Sequence, residues 1–493
     1  MKRTVIRITI FILLLAAVLL YCNSILFPKY GDGIYDLKKF YELEDNTVDV
    51  LFLGNSRCFE NFSTGTLWDE YGIAAFDLGG SNQPPWNTYH YLKEALKTQH
   101  PKLIVMEASN TKQYEDYSAQ QYIVKNNFGL KWSRNKVDSL LASIRKEARF
   151  TYIPEWLRYH YRYTDVEKAD FVKDQGNPLY RDWKGFACNF MTYPTEGKDL
   201  SGITEVGYLS EKSEWYYNHI IELAQQEGIP IEIVIAPYSD CYEDEMKAFN
   251  RTRQIAEEKG VPFMNCVLMT EEMGLDYSVD MADPVHLNYR GSSKFSSFIG
   301  RHISENYDIP DRRGEAGYES WQRHADYIRR MISDQKLREC TDVGEYLDII
   351  SSESFDGYEV FLSIENAEGD YGQVAKNVLD GFDAGSVETA GVWHIRNGKV
   401  VWGAAGDDRD HYQDLPFSSI HLKKADEDDE EGNRIIADNR DCKVRDGFIN
   451  IVIYDNVTAS VEDSVAIIPG EAGQVILERK EEQTVQSAVT GGE

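Results

Sequence analysis

The seven cysteines, at positions 22, 58, 188, 241, 266, 340 and 442, include no CxxC pair and show no close metal-like spacing. No metal centre and no cofactor site is therefore expected, and a chain this long does not depend on a dense disulfide framework. A single pair is still allowed, and the odd count leaves at least one thiol free. Basic residues are also scarce: 52 Lys and Arg stand against 82 Asp and Glu, for a net charge of -30. Such a field repels nucleic acid and anionic lipid surfaces, so no polyanion partner is expected, and solvation of an acidic surface accounts for the excess. The acidic cluster "KKADEDDEEGN" at 423–433 lacks the spacing of an EF-hand loop and reads as an exposed loop.

The N-terminus lacks processing signals. No A-x-A-like site closely follows its apolar run, and the "LLY" before Cys22 lacks the small residue that a lipoprotein signal needs. What is present is Lys2, Arg3 and Arg7, then the uncharged run Ile8 to Cys22, which "NSILF" extends to Phe27 before Pro28. Positive charge ahead of an apolar run keeps the N-terminus in the cytoplasm and exports the remainder of the chain. Residues 1–28 are read as an uncleaved signal anchor or transmembrane helix, in preference to a cleaved signal or a buried helix. The expected location is a cell membrane, crossed once, with the large domain extracytoplasmic.

With 42% hydrophobic and 27% charged residues, the remainder of the 493-residue chain is globular and long enough for two or three domains. "VDVLFLG" at 48–54, "GIAAFDLGG" at 72–80, "PKLIVMEAS" at 101–109 and "IPIEIVIAPYS" at 229–239 are continuous apolar runs, the pattern of strands covered on both faces. A helical segment, "PWNTYHYLKEALKTQ", lies between the second and third, and another, "DEMKAFNRTRQIAEEKG", between the fourth and "VPFMNC" at 261–266. The expected fold class is α/β, a three-layer parallel sheet with helices on both faces over residues 29–310. Residues 111–225 interrupt it with an aromatic-rich insertion that includes "RFTYIPEWLRYHYRY" at 149–163. Two readings stay open for this insertion: aromatics packed on the sheet domain, or a lid lining a groove for a sugar-containing ligand. A linker and helix at 311–343 lead to a mostly β domain at 344–480, announced by "YEVFLSIEN", "GVWHIRNGKVVWGAA" and "GFINIVIYDN". A disordered tail, 481–493, is expected after it.

Function in a parallel sheet gathers at the carboxyl ends of the strands. Gly54-Asn55-Ser56 stands at one such end, and Ser56 is either a nucleophile or part of a helix cap. A serine hydroxyl needs a base, usually histidine, and the ring needs an orienting carboxylate. "ADPVHLNYRG" supplies both, with Asp283 three residues before His286, so that one turn can bring the carboxylate to one ring nitrogen and leave the other for Ser56. Gly79, Gly80, Asn82 and Asn110 are the candidate donors to an oxyanion.

These blocks resemble the SGNH (GDSL-like) hydrolases and, more narrowly, the membrane-anchored relatives that act in O-acylation of cell-surface polymers, among them the D-alanyl lipoteichoic acid transfer protein. "VLFLGNSRCFENF" is similar to the first family block, with Ser56 as nucleophile, and "FDLGGSNQPPWNTYHYLKEAL" to the second, with the oxyanion glycine at Gly79 or Gly80. "DPVHLNYRGSSKFSSFIGRHI" is similar to the last, with Asp283 and His286. The third block departs from Gly-x-Asn-Asp: this chain has "ASNT", with Ala108 at the glycine position and Asn110 at the asparagine position. The resemblance implies an extracytoplasmic serine acyl-transfer enzyme acting in O-acylation or deacylation of a cell-surface polysaccharide or teichoic acid. Its implied partners are the acylated glycan or teichoic acid, the membrane, and a membrane-bound O-acyltransferase. A carbohydrate esterase that only hydrolyses, and a catalytically weak glycan-binding or scaffold protein, are the alternatives.

Overall fold

In the first half of the chain, apolar residues crowd into strands only five residues long, and all five positions of each of the first four are buried. The computed structural model describes residues 2–29, 31–111, 115–153, 155–166, 168–171, 181–352, 355–365, 369–382, 390–404, 409–415, 418–425, 432–437, 440–470 and 474–479. The central part of the acidic cluster at 423–433 and the tail 481–493 lie outside these residues. The chain divides into two compact units, one ending at Asp326 and the other beginning at Tyr327. This division falls inside the helix Glu319–Glu339.

The first unit opens with α1 (Lys2–Leu26) and α2 (Ile34–Phe40). There follow β1 (Val50–Gly54), α3 (Ser56–Asn61), α4 (Thr64–Tyr71), β2 (Ala75–Gly79), α5 (Pro85–Ala95) and β3 (Leu103–Glu107). Next come α6 (Gln120–Asn127), α7 (Arg134–Ser143) and α8 (Trp156–Tyr159), then, after the helix Glu211–Gln226, β4 (Ile231–Ile235) and β5 (Phe263–Asn265). The strands form one parallel sheet in the order β2-β1-β3-β4-β5. Helices cover both faces, as the apolar strands require. The order starts at β1 and runs outward in both directions, so the carboxyl ends of β1, β2 and β3 lie side by side. That end of the sheet carries Asn55, Gly80 and Ala108.

No residue of α1 is buried. Its 25 residues span about 37 Å at ~1.5 Å per residue, more than the ~30 Å of a bilayer core. Among the described residues it is the one helix long and apolar enough to cross a membrane.

The second unit is mostly antiparallel. Among the described residues, six strands pair in one sheet and four in another. Tyr358–Ile364 and Ile449–Asp455 are buried along their whole lengths. Val360, Leu362, Ile449 and Ile451 share an apolar cluster with Tyr346 and Val378, which belong to the helices Val343–Ser351 and Gly369–Asp380. Phe361, Val452 and Tyr454 point the other way, into a cluster with Ile420, Leu422 and Ile435 of the smaller sheet. Alternate residues thus feed opposite cores, which is why these strands carry apolar residues on both faces.

Candidate active site

β1 stops at glycine for a steric reason. A Cβ on Gly54 would lie 2.8 Å from both the Cβ and the carbonyl oxygen of Glu107 on β3. One on Gly79 would lie 2.9 Å from the Gly54 carbonyl oxygen. The three strand ends approach more closely than side chains permit, and the chain turns at once into α3. Asn55 is the residue that caps this helix, its side chain accepting the Arg57 N–H at 2.8 Å. Ser56 is the first helical residue, so its own N–H has no intrahelical acceptor. The cap and the candidate nucleophile are therefore neighbouring residues with separate work.

The Ser56 hydroxyl lies 2.7 Å from Nε2 of His286, and Nδ1 of His286 lies 2.8 Å from Oδ2 of Asp283. Oδ1 of Asp283 accepts the backbone N–H groups of Val285 and His286 at 2.8 and 2.9 Å. The loop is closed by a bridge between Met281 and Leu287 and by the Ala282 N–H donating to the His286 carbonyl at 3.0 Å. Burial works against ionisation of Asp283, but the bonds from His286 and the two amides outweigh it and hold the carboxyl below its ordinary value. An ionised Asp283 fixes the ring proton on Nδ1 and leaves Nε2 as an acceptor for the serine hydroxyl.

Further groups complete the surroundings. Glu60, one helical turn after Ser56, places Oε1 3.8 Å from Nε2 of His286. Burial raises the Glu60 carboxyl above its ordinary value. For His286, burial favours the neutral ring, while the Glu60 and Asp283 charges favour the protonated one, and the net effect is upward. Arg57 ties three elements together. It donates to the Val285 carbonyl at 3.0 Å and to the Ser109 hydroxyl at 2.8 Å, and its guanidinium lies 3.6 Å from the ring centroid of Tyr238. Ser109 also accepts from the Asn55 amide at 3.0 Å.

Ser56, His286, Asn82 and Asn110 line a single cavity of about 640 Å³. The Asn110 amide donates to the Gln83 carbonyl at 3.0 Å and to Oδ1 of Asn82 at 2.9 Å, so both of its hydrogens are engaged there. Because a backbone carbonyl can only accept, it fixes which end of Asn110 is nitrogen, and Asn110 in turn fixes Asn82. Asn82, held at a left-handed φ of 48°, thereby has its oxygen occupied and its NH2 turned away from Asn110. The Gly80 N–H donates to the Gly54 carbonyl at 3.3 Å. Of the expected oxyanion donors, Gly80 and Asn110 thus spend their hydrogens within the strand-end framework. Cys22, Cys58, Cys188, Cys241, Cys266 and Cys340 are free thiols.

Arg57, Glu60 and Ser109 were not singled out from the sequence. The Ser56-to-Glu60 spacing of four on a helix could have pointed to Glu60; nothing comparable marks Arg57 or Ser109.

No family model matches the chain. No curated protein matches it either. Among solved structures, it is distantly similar to a GDSL-like lipase from Bacteroides thetaiotaomicron, at 12% identity and a TM-score of 0.28, over 55% of this chain and 98% of that one. An acetylxylan esterase from Geobacillus stearothermophilus matches at 13% identity and a TM-score of 0.27, over 52% of this chain and 95% of that one.

Proposed function

We propose that the chain is a membrane-anchored serine esterase that removes acyl groups from a cell-surface carbohydrate. The observation that carries this reading is the continuous hydrogen-bonded line from Ser56 through His286 to Asp283. Ser56 Oγ attacks the ester carbonyl while His286 Nε2 takes its proton, and Asp283 stabilises the imidazolium. In this reading the Ser56 N–H and the Asn82 amide, both at the cavity, serve as donors to the developing oxyanion, with Asn110 holding Asn82 in place. His286 then returns the proton to the departing alcohol, and water repeats the sequence to free the acid. The cavity is lined by Ser81, Asn82, Ser109 and Gln121 among others, a polar wall suited to a hydroxyl-rich leaving group. A second reading, transfer of the acyl group to a sugar or polyol hydroxyl, uses the same acyl-enzyme. In that reading a membrane-bound O-acyltransferase supplies the acyl group, and α1 favours it by keeping the site beside a bilayer.

Treatment of the full-length protein with a serine-reactive fluorophosphonate is expected to give an adduct on the Ser56 peptide, lost in His286→Ala. An adduct on another serine, with Ser56 unmodified, would end this proposal.

A pH profile tests Glu60. Turnover needs neutral His286, so kcat/KM rises as pH climbs through the His286 pKa. The Glu60 charge pushes that pKa up; Glu60→Gln removes the charge, and the acid limb should move to lower pH. An acid limb left in place would mean that Glu60 is neutral over this range.

A further inference from the structure

The stretch at 149–163 divides its aromatics sharply. Tyr152 and Tyr159 are buried with Ile34, Ile123 and Phe128, and Leu26 and Phe27 pack against the same cluster. Phe150, Trp156, Tyr161 and Tyr163 instead stand out from the surface, 87%, 51%, 60% and 71% exposed. None of these four lines the cavity at Ser56. A lone exposed aromatic needs no explanation, but four in one short segment do.

The segment is joined to the C-terminal end of α1. The Tyr159 hydroxyl donates to Oδ1 of Asn23, and Arg162 donates to the Leu26 carbonyl at 2.9 Å. The Phe27 ring meets Tyr159 edge-on, with centroids 5.5 Å apart. Between them lies a cleft of about 370 Å³ whose lining includes Phe27, Phe128, Trp132, Trp156 and Lys131. Residues 145–166 carry five Lys and Arg against three Asp and Glu, a local positive excess in a chain of net charge -30. Amphipathic rings and arginines at the level where an apolar helix ends are the chemistry of a membrane–water interface.

We infer that residues 149–163 form a lipid-contact surface, lying at the headgroup level of the bilayer that α1 crosses. The exposed rings enter between lipids, and the cleft beside Phe27 takes up part of an acyl chain. This rests on the reading of α1 as an anchor. The overall acidity of the chain repels anionic surfaces at long range; the segment is a local exception, held at the bilayer by its neighbour.

The test uses the full chain in nanodiscs of phosphatidylethanolamine and phosphatidylglycerol that contain a diazirine-bearing phospholipid. After irradiation, adducts are located by peptide mass. Adducts are expected in α1 and in peptides covering 149–163. A variant carrying Phe150→Ser, Trp156→Ser and Tyr161→Ser should lose the second set while keeping the first and its thermal midpoint. Adducts confined to α1 would overturn the lipid-contact surface and leave the anchor standing. Their absence from α1 as well would overturn both.

Discussion

Turnover of an activated acyl ester is expected to fall on the order of 10⁴-fold or more in Ser56→Ala. That corresponds to roughly 5.5 kcal/mol of transition-state stabilisation. Thermal stability should barely change, by about 0.5 kcal/mol or less. The two expectations separate because Asn55, and not Ser56, supplies the helix cap. Alanine is a good residue for a first helical turn, so the variant removes the hydroxyl and little else. The measurement is initial-rate kinetics on the detergent-solubilised chain, with its thermal unfolding followed in parallel. Retained turnover in a folded Ser56→Ala protein would remove Ser56 from the chemistry. Loss of both folding and turnover would instead show that Ser56 carries a structural load that the geometry does not reveal.

Gly54→Ala should have the opposite signature: a large loss of stability together with the loss of activity. The new methyl would meet the Cβ and carbonyl oxygen of Glu107 at 2.8 Å. Glu107 has little room to retreat. It is buried on β3, and its Oε1 accepts the N–H groups of Ser109 at 3.1 Å and Ala236 at 3.3 Å. Relief must come from the β1–β3 pairing, at a cost of about 3 kcal/mol, the upper part of the usual range for overpacking. Any such shift displaces Asn55 and Ser56 as well, so catalysis suffers even in the molecules that fold. Thermal unfolding of Gly54→Ala beside the parent reads the first effect, and kcat the second. An unchanged midpoint would mean that the strand ends are less tightly joined than these contacts imply.

The parts of the site that could be read in the sequence are those set by short-range geometry. A glycine ending a continuous apolar run places Ser56 at a strand end, and a separation of three lets Asp283 reach His286 through one loop. Alternation of strands and helices gave the parallel sheet, and with it the direction in which all the strand ends face. Side-chain trajectories were not available at that level. Asn110 looks like an oxyanion donor until the Gln83 carbonyl is seen to take one of its hydrogens. Arg57 becomes a joint only when Val285 and Ser109, far apart in the chain, converge on it. The aromatic stretch at 149–163 gave no sign of which rings turn inward, because that depends on where α1 ends. In the second unit, the β-prone runs marked the strands, but the helices Val343–Ser351 and Gly369–Asp380 are what allow both faces of the larger sheet to be apolar.

The short loop around Asp283 and His286 also determines which motions can disarm the site. Ser56 and His286 are separated by 230 positions, so their distance is set by how the sheet brings α3 to the loop at 281–287. Asp283 and His286 are fastened within residues 281–287 by the Met281–Leu287 bridge and by backbone bonds to the carboxylate itself. They must therefore travel as one body. Of the two hydrogen bonds in the line, the one between Ser56 and His286 crosses from α3 to this loop, and it is backed by the Arg57 bond to the Val285 carbonyl and by the Leu287 N–H donating to the Asn61 side chain; a motion that parts nucleophile from base must break these as well, while the base keeps its carboxylate.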